Sequence, residues 1–425
     1  MKILTLGPYA NLHFLSKKLL EEPTVDKVYH MPAIFQPTGR YEPIKLAGQG
    51  GLDDRDDIIK FINTTELDLV VINALSLLQD QRIQDALTDR QIPKVGCTKE
   101  LTKLEWSKLT GKKLLKQLDI PTPNHTSFTR NDLLNSFLDI PRPWVLKYEQ
   151  DWRVGLQTII ITDDNYQQEF EDFKKYGANK FVDLNTKEES VFLVEDYIQI
   201  KKEYSYHILA NSKGWTYLGS ARDYKKFDNG DKGFNTAGMG SYSKVNINPK
   251  VHDYADKLVK HFNETSPYVG ILYLGIAEDD EGRPYVLEIN TRGGCTELQS
   301  ILLTHNPKQS LSQILYQTAT NKVIDPIQFS DSSAVSVRIV RKNYREVVNY
   351  YTERNLKAIG KHLDPDFYPE VPGIYITAGL NRHILNSVIS TKADTREQAS
   401  DSIYKFLSNK NLYNFTYRTD IGYLE

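Results

Sequence analysis

Over its first hundred residues the chain alternates short, continuously apolar runs with stretches of amphipathic helix length, and that alternation leaves few folds open. Residues 2–6 read as a buried strand. Residues 11–21 read as a helix, with Leu12, Leu15, Leu19 and Leu20 at helical spacing. Residues 25–30 are strand-like, and 53–63 form a second helix with Ile58, Ile59 and Ile62 on one side. The unbroken apolar run at 67–72 fits a parallel strand covered on both faces. A helix at 83–88 and a strand at 93–97 complete the pattern. Strand and helix in strict turn imply a doubly wound parallel sheet. The opening MKILTLG breaks at Gly7-Pro8 with no small-residue cleavage site after it, so it reads as the first strand and not as a signal peptide.

The remaining residues need more than one further unit, since 425 residues correspond to about three domains. Residues 98–118 read as one lysine-studded helix, broken by the two prolines of IPTPNH at a domain boundary. Two strand signals follow between 144 and 161, then a helix at 165–176, a strand VFLVEDYI and the alternating strand KEYSYHILA. Residues 221–243 read as a long polar loop, 252–262 as a helix, and 270–278 with 285–290 as strands around DDEGRP. From about Asp331 strands (SAVSVRIV, GIYITAG, NSVIST) and one helix (395–408) recur. The fold class is thus α/β together with α+β. A near-neutral balance, 53 basic against 55 acidic residues, argues against a dedicated nucleic-acid binder. Two cysteines, Cys97 and Cys295, are too few for a disulfide framework and suit a reducing compartment. No apolar run reaches the ~20 residues of a membrane helix.

Three constellations can carry chemistry. In VLEINTRGG, Glu288 and Asn290 stand two apart on a strand and so face the same way. Two oxygen ligands on one face suit Mg²⁺, which completes its shell with phosphates and water. Arg292 follows in register and can grip a carboxylate or phosphate with two prongs. Alone, this spacing is also what a solvated edge strand shows. The second constellation is the 223–243 segment, where Gly238 and Gly240 admit close backbone approach, Lys225 and Lys226 offer charge to phosphate, and Asp223 can accept from an ammonium. Structureless loops of this length are uncommon unless functional or disordered. The third is a scatter of nucleotide-sized features: Lys108, Lys147, the backbone of VEDYI for an adenine edge, and Glu203 for ribose hydroxyls. No Walker-type phosphate loop is present, and a lone His13 near the first βα turn is an ordinary packed residue on base expectation.

Taken together these segments resemble the phosphoribosylamine–glycine ligase (glycinamide ribonucleotide synthetase) family of the ATP-grasp superfamily. The likeness is carried by ARDYKKFDNGDKGFNTAGMGSYS, by YVGILYLGIAEDDEGRPYVLEINTRGGCTELQ and by KVGCTKELTKLEWSKLTGKKLL, with MKILTLG, His13 and YRTDIG matching the two ends. It implies a Rossmann-like N-terminal domain (1–98), a linker helix (99–120), a mobile lid (121–194), an ATP-grasp core with the metal site (195–328) and a small mixed C-terminal domain (329–425). It implies ATP and Mg²⁺ (or Mn²⁺) as cofactors, with Glu288 and Asn290 on the metal. Lys108 and Lys147 would hold phosphates, the backbone of Glu195 and Ile198 would read adenine, Glu203 would take the ribose, and Asn235 and Gly238 would complete the nucleotide contacts. Arg292, Asp223 and Lys225 would be catalytic, Asp223 holding the amino group of the amino acid. The implied reaction is a carboxylate–amine ligation through an acyl phosphate, joining glycine to phosphoribosylamine, in a cytoplasmic monomer or homodimer.

The chain also departs from the family. PYANLH stands where the family has a glycine-rich turn with Arg and Glu, and NALSLL, with Leu75, stands where it has a Gly-Pro-Glu loop. VGLQ, with Leu156, replaces the lid's glycine-lysine-glycine stretch, Cys295 replaces an Asp near the amino acid, and the C-terminal Gly-Gly-Tyr-Pro loop is not evident. Nucleotide and metal residues survive better than those that select the amine. Two alternatives follow: the same chemistry on a different amine, such as a modified nucleotide or base, or a silent nucleotide-binding homologue. The ligase reading requires Glu288 and Asn290 to share a face close to residues 223–243.

Overall fold

The computed structural model describes residues 1–31, 40–44, 55–148, 158–176, 191–344, 371–379, 386–410, 412 and 414–423. The first unit is an all-parallel sheet in which β1 (Lys2–Leu6), β2 (Lys27–Met31), β3 (Tyr41–Pro43), β4 (Leu69–Ile72) and β5 (Lys94–Val95) take the order β3-β2-β1-β4-β5. The helices are α1 (Ala10–Leu20), α2 (Arg55–Thr64), α3 (Leu75–Leu78) and α4 (Gln81–Asp89), the last capped by Asp80 accepting from the backbone of Arg82. Chain order reverses between β1 and β4, and open parallel sheets bind at the carboxyl ends of strands flanking such a reversal. Here that position is taken by Gly7 to Asn11 after β1 and Asn73 after β4. His13 lies buried on α1, its ring 5.8 Å from that of His30.

The expected single helix over 98–118 is two: α5 (Lys103–Trp106) and α6 (Lys108–Gln117). They break at Ser107, which is extended (φ −107, ψ 103) and whose Oγ accepts from the backbone of Thr110 at 3.1 Å. A serine satisfies a first-turn donor better than it serves inside a helix, so the break follows from its side chain.

Next comes a four-stranded antiparallel sheet, β6 (His125–Thr129), β7 (Trp144–Tyr148), β8 (Thr158–Ile161) and β9 (Val191–Asp196), in the order β6-β9-β7-β8. With α7 (Arg130–Ser136) and α8 (Tyr166–Tyr176) it encloses its own core, in which Phe137, Trp144, Phe173 and Phe192 stack edge to face or obliquely. β6 and α7 were not legible beforehand, because the polar HTSFTRND carries no apolar period.

The largest sheet is built from β10 (Ile200–Asn211), β11 (Gly214–Asp223), β14 (Gly240–Ser243), β15 (Gly270–Asp279), β16 (Pro284–Asn290), β17 (Ser333–Arg341), β18 (Ile374–Gly379) and β19 (Asn386–Ala393). Its order is β16-β15-β10-β11-β14-β17-β19-β18, with β20 (Phe415–Thr416) pairing β17. The C-terminal strands therefore continue the sheet that begins at β16. The expected long loop over 221–243 is mostly ordered strand: β11 runs to Asp223, β12 (Lys226–Asp228) and β13 (Lys232–Asn235) form a hairpin, and β14 joins the sheet. Gly230 (φ +71) and Asp231 (φ +53) turn the hairpin, the work that an Asn-Gly signal performs between strands. α9 (Lys250–Thr265), α10 (Glu297–Leu303), α11 (Leu311–Ala319) and α12 (Arg396–Ser408) cover the faces. α10 is buried along its whole length. It meets the sheet through polar contacts, Ser300 to Ser241 (3.1 Å) and Ser390 Oγ donating to Gln299 Oε1 (2.8 Å). Among the described residues no helix is long and apolar enough to cross a membrane.

Candidate active site

The site is centred on β16. Gly275 of β15 pairs with Glu288 and Ile276 with Val286, so Leu287 is an extra residue that bulges the strand just before the two oxygen donors. A Cβ at Gly275 would lie 3.0 Å from Glu288 Cγ, a tight contact that glycine avoids. Beyond the bulge Glu288 and Asn290 face the same way, and the Asn290 carboxamide lies close enough to favour the Glu288 charge. Burial alone would raise the Glu288 pKa. The charges of Lys225, Lys108 and Lys147 outweigh it and hold the carboxyl down to about 2. Three lysines from three separate segments thus converge on one carboxylate, and one of them, Lys225, belongs to the 223–243 segment.

Two of the site's lysines share one acid, and Lys225 has another. Lys147, on β7, bridges to Glu195 Oε2 at 2.9 Å and donates to the carbonyl of Leu287 at 3.3 Å. Lys112, on α6, meets the other oxygen of Glu195 at 3.0 Å and donates to Thr122 Oγ1 at 2.8 Å. Burial and the neighbouring Lys147 push Lys112 down to about 7, while burial of Glu195 is outweighed by the two lysines, which keep it ionised. Lys112 was not singled out from the sequence. Its signal was a lysine on the buried stripe of an amphipathic helix, four residues after Lys108 and beside Gly111, Leu114 and Leu115. Lys225 pairs with Glu203. Burial opposes its charge, but Glu203, Glu288 and Asp223 raise its pKa above the ordinary lysine value.

Arg292 lies past the strand end, where its Nε donates to Glu105 Oε1 at 2.9 Å and its guanidinium sits 6.0 Å from the Tyr9 ring centroid. The second oxygen of Glu105 accepts from the backbone of Thr291 at 2.8 Å. The backbone after it is clamped: Asn11 Nδ2 donates to the carbonyl of Gly294 (2.7 Å), and Gly293 N–H donates to Asn73 Oδ1 (2.7 Å). Gly294 N–H donates to His207 Nε2 at 3.1 Å. Burial and the Arg292 charge push His207 down to about 3, so the ring is neutral and can accept, and it stacks on Tyr273 at 4.7 Å. Glu105, Asn11, Asn73 and His207 were not recognised as site residues from sequence. Their partners lie 87 to 283 positions away, and nothing local announces the contact.

Among the described residues, the buried Oδ1 of Asp223, at the end of β11, has no hydrogen-bond partner. Burial, then Glu297, push its pKa well up, against the pull of Lys225. Gly238 (φ +91) packs so tightly on it that a Cβ would lie 2.5 Å from that oxygen. Glu288, Asn290, Lys108, Lys147, Lys225, Glu203, Glu195 and Asp223 are thus linked through contacts or mutual charge. Two expected residues stand apart. Asn235 Nδ2 donates to the carbonyl of Thr158 at 3.0 Å, tying the hairpin to β8. Ile198 lines an open cleft of about 420 Å³ with Thr122, Asn124 and Tyr197. Leu156 lies outside the described residues.

The donor set, one ionised carboxylate beside one carboxamide among converging lysines, fits a magnesium-bound polyphosphate, since Mg²⁺ takes one or two protein oxygens and leaves the rest to phosphate and water. A lone divalent ion held by protein alone fits less well, as the described residues contain no cluster of three or more His, Cys, Asp or Glu.

Residues 106–298 match the family described as phosphoribosylglycinamide synthetase, ATP-grasp (A) domain. Over 438 residues the chain is 27% identical to a phosphoribosylamine–glycine ligase of Streptococcus pneumoniae, covering 99% of each chain. It is 26% identical over 437 residues to the protein of that name from Streptococcus suis, again with 99% of each covered. Among solved structures it is similar to phosphoribosylamine–glycine ligase of Thermotoga maritima, with a TM-score of 0.73, 21% identity, and coverage of 99% of this chain and 100% of that one. It is also similar to the biotin carboxylase domain of Hydrogenobacter thermophilus 2-oxoglutarate carboxylase, with a TM-score of 0.66, 14% identity, and coverage of 98% and 91%. At these identities the structural likeness establishes the ATP-grasp fold.

Proposed function

We propose that this chain, a member of the ATP-grasp phosphoribosylglycinamide synthetase family, is an ATP-dependent carboxylate–amine ligase. On the pattern of its relatives it joins glycine to phosphoribosylamine in purine biosynthesis, in the cytoplasm. The observation that carries this reading is the convergence of Lys225, Lys108 and Lys147 on Glu288.

The amino-acid carboxylate oxygen attacks the γ-phosphorus of ATP, the bridging bond to the β-phosphate breaks, and ADP leaves. The amine nitrogen then attacks the acyl carbon, phosphate departs and the nitrogen loses a proton, leaving an amide. Lys108, Lys112, Lys147 and Lys225 supply positive charge to the phosphate oxygens. Glu195 does two jobs in this reading: its carboxylate fixes Lys112 and Lys147, and its backbone reads adenine together with that of Ile198. Glu203 takes the ribose, Asn235 and Gly238 shape the loop over the nucleotide, and residues 121–194 close as a lid. Glu288 and Asn290 would hold Mg²⁺ or Mn²⁺, which neutralises phosphate charge when bound. Asp223 takes the ammonium of the amino acid. Arg292, fixed by Glu105, stabilises charge on the acyl phosphate and the tetrahedral species. Water exclusion and alignment supply much of the remaining acceleration.

The test is ATP, Mg²⁺, glycine and freshly made phosphoribosylamine, with ADP and the ribotide amide as the expected products. A second reading keeps the chemistry and changes the amine. It is favoured by the sheet-reversal crevice, where Tyr9 lies over Arg292 and Asn11 and Asn73 are engaged with the 293–294 backbone. Absence of the ribotide, with ADP release on another amine, would select it.

A further inference from the structure

Among the described strands, β12 and β13 pair only with each other, and a two-stranded hairpin is marginally stable by itself in water. Its support comes from the C-terminal end of the chain, YRTDIG at residues 417–422. Arg418, whose side chain is 1% exposed, grips Asp420 with two prongs: Nε donates to Oδ1 and Nη2 to Oδ2, both at 2.7 Å. Its Nη1 reaches across to the hairpin and donates to Asp231 Oδ1 at 2.7 Å. The hairpin turn is clasped as well. Asn229 Nδ2 donates to Thr419 Oγ1 at 2.6 Å, Thr419 N–H donates to Asn229 Oδ1 at 3.0 Å, and Gly230 N–H donates to Asp420 Oδ2 at 2.7 Å. A planar fork held by two carboxylates fixes direction as well as distance.

The hairpin grows out of the segment that bears the site. Tyr224 lies between Asp223 and Lys225, and its N–H donates to the carbonyl of Gly240 at 2.9 Å, carrying the β11–β14 ladder one residue past Asp223. Side chains alternate along an extended chain, so Tyr224 leaves the side taken by Asp223. The C-terminal end receives it: the Arg418 guanidinium sits 4.9 Å from its ring centroid, and Gly422 N–H donates to its hydroxyl at 3.3 Å. Beyond Lys225, the carbonyl of Lys226 accepts from Arg418 Nη1 at 3.1 Å. Arg418 thus touches both chain neighbours of Lys225. The C-terminal end is in turn fixed to α12, where Ile421 N–H donates to the Tyr404 hydroxyl and its carbonyl accepts from Ser400 Oγ, each at 2.9 Å. Burial and the charge of Glu297 both act against an ionised Asp223, so a loosely held segment would relieve that cost by moving outward.

We propose that residues 418–422 position the ligation site, with Arg418 and Asp420 as the positioning residues: through Tyr224, Lys226 and the hairpin they set Asp223 toward the amino acid and Lys225 toward the phosphates. This rests on the ligase reading above and deepens it.

The test uses the full chain with ATP, Mg²⁺, glycine and phosphoribosylamine. Arg418→Met keeps the bulk and removes both ion pairs. The kcat/KM for glycine is expected to fall about tenfold or more, mostly through KM, because small misplacements of a binding group are costly. The Kd for ATP, measured without glycine, is expected to change by less than about threefold, because Lys108, Lys112 and Lys147 stand on other segments. In an Asp223→Asn background the same change is expected to cost less than about threefold in glycine KM, since residues that act through one contact are not additive. Equal losses in both backgrounds, or an ATP Kd weakened as much as the glycine KM, would mean that Arg418 supports the fold at large, and would overturn the proposal. Asn229→Ala is the milder variant: it removes the exposed clasp on Thr419 and leaves Arg418 paired. It is expected to raise the glycine KM about threefold with the ATP Kd unchanged. Wild-type glycine kinetics in Asn229→Ala overturn the proposal even if Arg418→Met does not fold, and leave the ligase reading intact. No product from the wild-type chain on any amine removes both.

Discussion

Replacing Glu288 by Gln separates two effects of one carboxylate that move in opposite directions. In the folded protein its carboxyl is lowered from 4.5 to about 2 even though burial opposes ionisation. At 1.36 kcal/mol per pKa unit, the surroundings as a whole, the lysines and Asn290 set against burial, favour the charged form by about 3 kcal/mol more than water does. Neutralising residue 288 leaves Lys225, Lys108 and Lys147 without that partner, so metal-free ATP should bind more tightly. If about a third of that energy is recovered by the phosphates, the gain is about 1 kcal/mol, or roughly fivefold in Kd. The metal-dependent arm should go the other way, since the variant lacks the anionic ligand, with kcat/KM falling by ~10²–10³ on loss of a preorganised electrostatic element. Titration calorimetry with ATP in chelator and in Mg²⁺, beside ADP-release kinetics, reads both arms. Weaker metal-free binding, or an unchanged Mg²⁺ dependence, would show that Glu288 does not face the polyphosphate. The lowered carboxyl also sets a pH window. Its contribution to stability is fully present above 4.5 and is lost as pH falls toward about 2, so Glu288 should place no limb on the activity profile near neutrality.

Other consequences can be read from the same geometry. Asp223→Asn should raise KM for the amino acid far more than KM for ATP. Because burial and Glu297 push Asp223 upward, the wild-type kcat/KM for the amino acid should also fall on the acid side at a higher pH than an ordinary aspartate would give, and the variant should lose that limb. Gly238→Ala places a Cβ at φ +91 and within 2.5 Å of the Asp223 oxygen. Strain of ~1–3 kcal/mol should lower the urea midpoint, and the amino-acid KM should rise with it. Glu195→Gln removes the shared acid of Lys112 and Lys147, which are 2% and 8% exposed. Breaking a buried pair in this way costs ~3–5 kcal/mol, and an unchanged denaturation midpoint would contradict the buried triad.

What the sequence disclosed and what it hid divide along a physical line. Period-2 spacing on a strand is a local property, so the shared face of Glu288 and Asn290 was readable from seven letters. The parallel sheet was readable because a strand covered on both faces must be apolar throughout, as at Leu69–Ile72. The hairpin at 226–235 was masked because its strands are short and charged, and the Asn229-Gly230 turn was the signal that should have been weighed. Ser107 falls inside the single helix that the spacing predicts, although a serine before a helical run is a capping residue. Glu105 and His207 could not be found locally. Their roles come from partners brought near by the fold.

The unbroken hydrogen bonding from β16 through to β18 also limits how the protein can be shortened. Stopping the chain before β17 would leave β14, a four-residue strand, as a bare border with unsatisfied backbone groups along Gly240–Ser243. Such a border invites strand addition from another copy. A fragment limited to the nucleotide-binding part is therefore expected to self-associate, and attempts to produce it alone would meet insolubility before any question of catalysis arose.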